Sequence, residues 1–539
     1  MKKKILGVFV CMLLIATALP AVGTIIDVIN TENNTFTMIN GKEIAIAQNG
    51  IILDQDLDVN GQGYTVMHIW GSHYEMGYAH AELLDQYIVC GINEMKSYLG
   101  EDYNLTRDII ADTVWMPPEI EDEIDGMVDS LAVTYPSENI DELDLKVINT
   151  FGDWNYAACR SHTCWGRYVA EPIKTLSTRR LDYPEFPFTQ DSHHVLCARE
   201  PDDGSVQWVN LGPPGYITSP TGVNEFGTLV SSHDYQSYNS DTSPGRMPRM
   251  VAFRHAMTYA TDPDVSTHIN TTFNELQNYE IMTGTFLNYY APEGNGGVMT
   301  ANPYASGPDF WHLRRPNESW HHGEAMITTN AWTDGSYTPP DENFGADAYY
   351  DNETPKTQES HWDLLRAYSP SMNMHMLSVS YRDRGSMTIW ADGRLPGGGH
   401  TSRMEYEWSD LFDAESPSAP DIDGPNSGKA GQEYDYDFTA TDPNGDDVKY
   451  YIDWGDDSTE WTGFSTSGTP VTVSHTWAKK GTYIITAYAQ DEYGLEGPEG
   501  TLEVSMPRSK SFNFNFPMLN WLLERFPNVF PLLRQILGL

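Results

Sequence analysis

Ser161-His162-Thr163-Cys164-Trp165-Gly166-Arg167-Tyr168, followed by Arg179-Arg180-Leu181-Asp182, decides how this chain is read. The first segment reads as a strand carrying a cysteine. The second closes the next strand a hairpin's length away. A thiol on one strand, with an arginine and a carboxylate on its neighbour, is a candidate nucleophilic centre. A free cysteine ionises near ~8.5, and lower beside cations. An α-amine titrates near ~7.7–8.0, against ~10.4 for lysine. A chain terminus at Cys164 would therefore carry a better neutral-pH base than an unperturbed lysine. Creating that terminus requires the Cys164 thiol to attack the Thr163 carbonyl, after which water hydrolyses the thioester. Arg179 would hold the thiolate and a substrate carbonyl or carboxylate, and Asp182 would orient the new ammonium. Strand alternation puts residues three apart on opposite faces. Arg179 and Asp182 therefore share a site only if Asp182 lies past the strand end or at a bulge. The competing reading makes Cys164 a buried small hydrophobe.

The 539 residues exceed one ordinary core, so two or more domains are expected. Hydrophobic residues at 40% and aromatics at 12% are enough to build cores rather than a disordered chain. The formal net charge of −44 repels nucleic acid, and no nucleic-acid partner is expected. Lys2-Lys3-Lys4, the short apolar run Ile5–Ile15 and the small residues Ala16 to Ala21 read as a cleavable secretory leader over residues 1–23, with an uncleaved anchor as the alternative. Export makes Asn33, Asn104, Asn270 and Asn317 glycosylation acceptors by motif. Outside the leader stand Cys90, Cys159, Cys164 and Cys197, with no Cys-x-x-Cys. No structural zinc, other metal or cofactor is expected. If Cys164 is free, at most one disulfide remains, for which Cys90 with Cys159 is one pairing.

Thr65–Trp70 alternates as a strand, and Gly71-Ser72-His73-Tyr74-Glu75-Met76-Gly77 runs into a helical stripe ending near Ile88. Pro118 and the acids after it open another helix. Beyond Cys164, short strands predominate. Val195–Ala198 and Ser205–Leu211 flank the turn Pro201-Asp202-Asp203-Gly204, with further strands at 227–232 and 325–329. Helices are expected at 247–259, 273–279 and 361–368. Residues 413–420 are a boundary. Alternating strands separated by Asp, Gly and Asn turns then predict a small β-sandwich.

From about Met67 to Gly398 the chain resembles the cysteine Ntn hydrolases of the acyl-coenzyme A:isopenicillin-N acyltransferase-like family. More distantly it is similar to penicillin V acylases and bile salt hydrolases. The resemblance rests on Gly71-x-x-x-Glu75-x-Gly77, on Cys164 with Arg179-x-x-Asp182, on Gly222-Val223-Asn224-Glu225-Phe226-Gly227, and on Thr328-Thr329-Asn330. It implies an α+β, four-layer αββα fold, with a region 24–163 ahead of the processing point and a catalytic region 164–412. It also implies an oxyanion-hole amide at Asn330, a second donor in the Asp234 region, and a late arginine for which Arg366 is the candidate. Family members often carry a small residue before the cysteine and a small hydroxyl residue after it; Thr163 and Trp165 depart from this. Residue by residue, Asn224-Glu225 also fits a plain turn, and Asn330 a turn cap. His193-His194 and His321-His322 read as loop residues without carboxylate partners for a metal. The absence of Gly-x-Ser-x-Gly disfavours an α/β-hydrolase.

Asp442-Pro443-Asn444-Gly445-Asp446-Asp447, Asp453-Trp454-Gly455-Asp456-Asp457, His475-Thr476-Trp477 and Gly481-Thr482-Tyr483 resemble a polycystic-kidney-disease (PKD) type domain over about 416–505. Trp454 and Tyr483 are expected in its core. Its acidic turns fit Asx-turns better than calcium loops. Residues 507–539 form an apolar tail, too interrupted by Pro527 and Pro531 to span a bilayer. The expectation is a secreted or cell-surface, self-processing amidohydrolase or acyltransferase acting on a small N-acyl or lipid-like substrate. An inactive surface-binding protein and a phospholipase B-like ester hydrolase are the alternatives. Membrane-surface contact would come through the PKD-like domain and the tail.

Overall fold

The computed structural model describes residues 36–39, 42–47, 49–154, 158–182, 193–218, 220–234, 241–301, 310–315, 324–329, 349–350, 354–367, 373–395, 399–412, 416–443, 445–491, 495–506, 521 and 525. The expected leader, Asn33, His321-His322, Asn317, Asn330 and all of the apolar tail except Trp521 and Arg525 lie outside them. The chain divides into two compact units, 1–414 and 415–539. That division falls inside the boundary expected from 413–420.

The first unit begins with β1 (Phe36–Ile39), β2 (Lys42–Ala47), β3 (Gly50–Leu57) and β4 (Gly63–Gly71). Helices α1 (His73–Leu99), α2 (Asp102–Thr113), α3 (Pro118–Thr134) and α4 (Glu142–Trp154) follow. Next come β5 (Ala158–Trp165), β6 (Thr175–Asp182), β7 (His193–Pro201), β8 (Trp208–Gly212), β9 (Thr221–Asn224) and β10 (Leu229–Asp234). After α5 (Arg249–Thr258) and α6 (Val265–Leu276) stand β11 (Thr285–Tyr290), β12 (Gly297–Ala301), β13 (Trp311–Arg314) and β14 (Ala325–Thr329). The unit closes with α7 (Gln358–Arg366), β15 (Asn373–Asp383), β16 (Ser386–Gly393), β17 (Met404–Glu407) and the short α8 (Trp408–Leu411).

These strands form two sheets. One has eleven strands in the order β1-β2-β3-β4-β7-β8-β9-β10-β11-β12-β13; the other has six, β14-β5-β6-β15-β16-β17. Strands β4 and β7 pair in parallel; the other pairings in the two sheets are antiparallel.

Side-chain alternation sorts residues into layers. On β4 and β7, Met67, Val195 and Cys197 join a core with the helices, whereas Val66, Leu196 and Ala198 join a core facing the other way. That second core is shared with Leu377, Val379, Ile389 and Ala391 of the six-stranded sheet, so the two sheets stack. On the outer face of the six-stranded sheet, Trp362 and Leu365 of α7 pack against Met376.

The Gly71–Gly77 segment is explained by helix geometry. Ser72 caps α1, accepting from the Glu75 backbone, while the Glu75 carboxylate accepts from the Ser72 backbone at 2.9 Å. Gly77 lies where a Cβ would come 2.0 Å from the Glu123 carbonyl, and Gly126 where one would come 2.1 Å from that of Tyr74. Two glycines thus let α1 and α3 cross in close contact. Between them and β7 sits a buried ion cluster. Glu123 accepts from Arg199 at 2.7 Å and from Arg254, and His73 lies 3.2 Å away. Burial pushes the Glu123 carboxyl up, but Arg254 and Arg199 more than reverse this and hold it well below the usual range.

Other expectations meet particular outcomes. The Asn224 turn is structural. Its amide oxygen accepts from the Phe226 and Thr228 backbones at 3.2 and 3.1 Å, and its nitrogen donates to the Met257 carbonyl at 2.9 Å. His193 and His194 are not in a loop. They open β7, fully buried, against Thr65 and the Arg394 carbonyl, and burial pushes them down to about 3 and about 4. The Cys90–Cys159 pairing does not form; none of Cys90, Cys159, Cys164 and Cys197 is in a disulfide.

The second unit is a sandwich. β18 (Asp421–Asp423), β19 (Tyr434–Thr439) and β22 (Val471–His475) make one sheet. β20 (Val448–Asp453), β21 (Thr459–Trp461), β23 (Gly481–Asp491) and β24 (Gly500–Met506) make the other. Trp454 and Trp477 are buried in the core between them, with Tyr436, Phe438 and Ile452. Tyr483, expected there, is half-buried at the edge and stacks on Trp477.

Candidate functional site

The cross-strand register separates Cys164 from its expected partners. On the β5–β6 ladder Cys164 faces Leu176, whereas Arg179 faces Ser161, and the Asp182 backbone faces Ala158. The faces differ as well. Ser161, Thr163 and Arg179 point into the seam between the sheets; Ser161 bonds Ser231 and Arg179 bonds the Ser232 carbonyl, both on β10. Cys164 points the opposite way, into an apolar cluster with Tyr168, Leu176, Ala325, Ile327 and Tyr350. Cys164 and Arg179 therefore lie on opposite faces of one sheet and cannot form one site. This corrects the expectation from spacing, and the cause is strand parity: an even and an odd position were read as one face. Burial pushes the Cys164 thiol up to about 12, against a lowering influence from Lys356 and a hydrogen bond from Tyr350.

The thiol beside Arg179 is Cys159. It is buried on the seam side of β5, and the Arg179 guanidinium reaches its Sγ at 3.2 Å. The same guanidinium nitrogen donates to the Ser232 carbonyl at 3.0 Å. One row along, Ser161 Oγ lies 2.7 Å from His233 Nε2 and 3.1 Å from Ser231 Oγ. Asn288 Nδ2 donates to Ser231 Oγ at 3.1 Å. Tyr290 Oη meets Thr328 Oγ1 at 2.5 Å and lies 3.4 Å from the Ser161 carbonyl. Across β6, His375 of β15 lies opposite Leu181, itself opposite Cys159, and its Nε2 sits 3.1 Å from Thr221 Oγ1. A thiol, a guanidinium and a band of hydroxyl, amide and imidazole groups thus share the seam.

The other expected residues fall as follows. Asp182 ends β6 at the Cys159 end of the hairpin; its side chain is outside the described residues, as are that of Asp234 and the whole of Asn330. Thr329, the last strand residue of β14, faces Arg160. Asp234 faces Thr285, and β10 reaches the hairpin through the Ser231 hydroxyl, the Ser232 carbonyl and the His233 ring. Arg366 is not in the seam. It sits at the end of α7 on the outer face, paired with Asp392. Period two along β5 separates Cys159 and Ser161 from Cys164, and the β5–β6 register puts the first two on the Arg179 face; no sequence signal pointed to His233 on the other sheet.

In the second unit, the carboxylates of Asp442, Asp446 and Asp491 approach within 4.8 Å of one another, the one grouping among the described residues with donors for a cation. They also serve turns: Asp442 accepts from the Asp446 backbone at 3.1 Å and Asp491 from that of Leu495 at 2.7 Å. Among the described residues no helix is long and apolar enough to cross a membrane.

Over residues 414–506 the chain belongs to the PKD-domain family, whose model matches there. It is similar to the PKD domain of an M14-like peptidase from Thermoplasmatales archaeon SCGC AB-540-F20, at 50% identity over 17% of this chain and 98% of that one, with a TM-score of 0.17. Lower similarity links it to the PKD domain of human VPS10 domain-containing receptor SorCS2 (17% identity, 18% of this chain and 78% of that one, TM-score 0.15). The PKD1 domain of Vibrio anguillarum Epp matches at 18% identity, over 17% of this chain and 98% of that one, with a TM-score of 0.13. No curated protein matches the chain.

Proposed function

We propose that this chain is an exported, self-processing amidohydrolase or acyltransferase whose nucleophile is Cys159. The Arg179 guanidinium, 3.2 Å from the Cys159 sulfur in the seam between two stacked sheets, carries the reading. The layering of helices, eleven-stranded sheet, six-stranded sheet and α7 supports an αββα Ntn arrangement. So does Ala158, which supplies the small residue that the resemblance asks for ahead of the nucleophile. In self-processing, the Cys159 thiol attacks the Ala158 carbonyl and expels the Cys159 amine, giving a thioester. Water then releases the Ala158 carboxylate, a free thiol and a free amine. The amine acts as base in the later reaction, taking the thiol proton as the sulfur attacks a substrate amide carbonyl and passing it to the leaving amine. Water or an acceptor amine resolves the acyl thioester. Arg179 favours the thiolate, since an adjacent cation stabilises the charged form.

The PKD domain favours a place outside the cell, because such domains occur in extracellular proteins. It equally suits a second reading, a surface-binding protein without catalysis. Sequencing the N-termini of the purified chain after denaturation separates the two. A fragment beginning at Cys159, lost in Cys159→Ala and kept in Cys164→Ala, is expected. An intact chain in all three, or a boundary elsewhere, would sink the self-processing claim.

A further inference from the structure

Strand β10 crosses the seam through Ser231, Ser232 and His233, and these contacts land on the two strands that carry the thiol and the guanidinium. The Ser232 carbonyl accepts from Arg179 on β6, and His233 Nε2 bonds Ser161 on β5. Ser161 and Arg179 are themselves cross-strand partners, in the row next to Cys159 and Leu181. Ser161 stands two residues from Cys159 on the same face, roughly 6–7 Å along the strand. The His233 ring is fully buried, and its own carbonyl accepts from Thr285 Oγ1 at 3.0 Å, which ties it to β11. Among the described residues, the facing charged and titratable groups are Cys159 on β5, Arg179 on β6 and Tyr290 on β11, whose Oη lies 3.4 Å from the Ser161 carbonyl, with His375 on β15 beyond Leu181. From β11 and β14 come the neutral Asn288 and Thr328.

We propose that His233 is a positioning residue for the Cys159 centre: through Ser161 it holds β5 so that the Cys159 sulfur stays on the Arg179 guanidinium. This rests on the reading of Cys159 as nucleophile. The Arg179 contact to sulfur spans 3.2 Å, and a displacement of about 1 Å along that contact takes it beyond hydrogen-bond range. Ser161 can keep its bond to Ser231 without the imidazole, so losing His233 loosens the row without emptying it.

The test measures iodoacetamide alkylation of Cys159 in the full chain across pH 6 to 10, by peptide mass spectrometry, alongside thermal unfolding. His233→Leu is expected to slow the reaction at neutral pH roughly tenfold and to raise its pH midpoint by about one unit. His233→Gln, whose amide can still reach Ser161, restores most of the rate, while both variants unfold at the same temperature. In an Arg179→Leu background, His233→Leu adds nothing. An unchanged profile in His233→Leu, or equal slowing with and without Arg179, overturns the proposal. A chain that stays intact at Ala158–Cys159 yet shows the His233-dependent midpoint sinks self-processing and upholds the positioning role. A wild-type Cys159 no more reactive than Cys164 overturns both.

Discussion

Native alkylation of Cys90, Cys159, Cys164 and Cys197 offers the sharpest contrast between Cys159 and Cys164. Iodoacetamide reacts with thiolates, so the rate follows the ionised fraction. With its thiol pushed up to about 12 by burial, Cys164 is ionised at pH 7.5 to only ~3 parts in 100,000, against ~10% for a cysteine at ~8.5. That alone slows it by about three orders of magnitude. Burial also pushes Cys90 and Cys197 up to about 11, which leaves them ~100-fold or more below an ordinary thiol. Cys159 is also buried, but it carries the Arg179 guanidinium on its sulfur. Brief exposure to the reagent, quenching and peptide mapping should therefore show Cys159 modified at least ~100-fold faster than Cys164. Arg179→Leu should remove most of that advantage. Labelling of Cys164 first, or of both at the same rate, would refute the assignment and the argument from strand faces behind it.

Glu123→Gln leaves Arg199 and Arg254 buried without their counter-charge, and should cost about 3–5 kcal/mol, read as a shift of the urea midpoint; a loss below ~1 kcal/mol would contradict a charge role. Asp392 is raised to about 6 from 3.8 by burial, against Arg366, so the folded state binds its proton more tightly than the unfolded chain. Stability should rise as pH falls through about 6 and level off near 3.8, by about 3 kcal/mol in total, and Asp392→Asn should flatten that slope in denaturation curves between pH 4 and 7. A fragment spanning residues 415–506 holds the complete sandwich core and should unfold in one cooperative step by tryptophan fluorescence, with Trp454→Ala costing ~3–5 kcal/mol.

Local patterns were legible where a few neighbouring residues decide them. Thr65–Trp70 alternates and became β4; Pro118 and its acids opened α3; the DWGDD and His-Thr-Trp segments marked the PKD sandwich. The helix expected at 273–279 instead spans Val265–Leu276, because Asp264 caps it by accepting from the Ser266 backbone, a signal upstream of the apolar stripe. The eleven-stranded order was not legible. The parallel pairing of β4 with β7 brings together strands separated by four helices and a hairpin that belongs to the other sheet. Arg366 matched by type and position in the chain, yet where α7 lies depends on Trp362 and Leu365 meeting Met376 on the outer face of the sheet, a contact between residues distant from one another's local pattern.

The site itself turned on parity. Cys159 and Cys164 lie five apart on one strand, so alternation sends them to opposite faces whatever the surroundings. Choosing between them needs one fact about the neighbour: which face Arg179 uses. Thr178 bonds His361 of α7 and Arg180 donates to the Leu365 carbonyl, so the residues flanking Arg179 are committed to the outer face. Arg179 must then enter the seam, and register places it across from Ser161, with Cys159 diagonal on the same face. Outer-face packing on α7 thus selects the inner-face thiol. A disruption of α7 that frees Thr178 and Arg180 should be felt at Cys159 through β6, although α7 lies on the other side of the sheet.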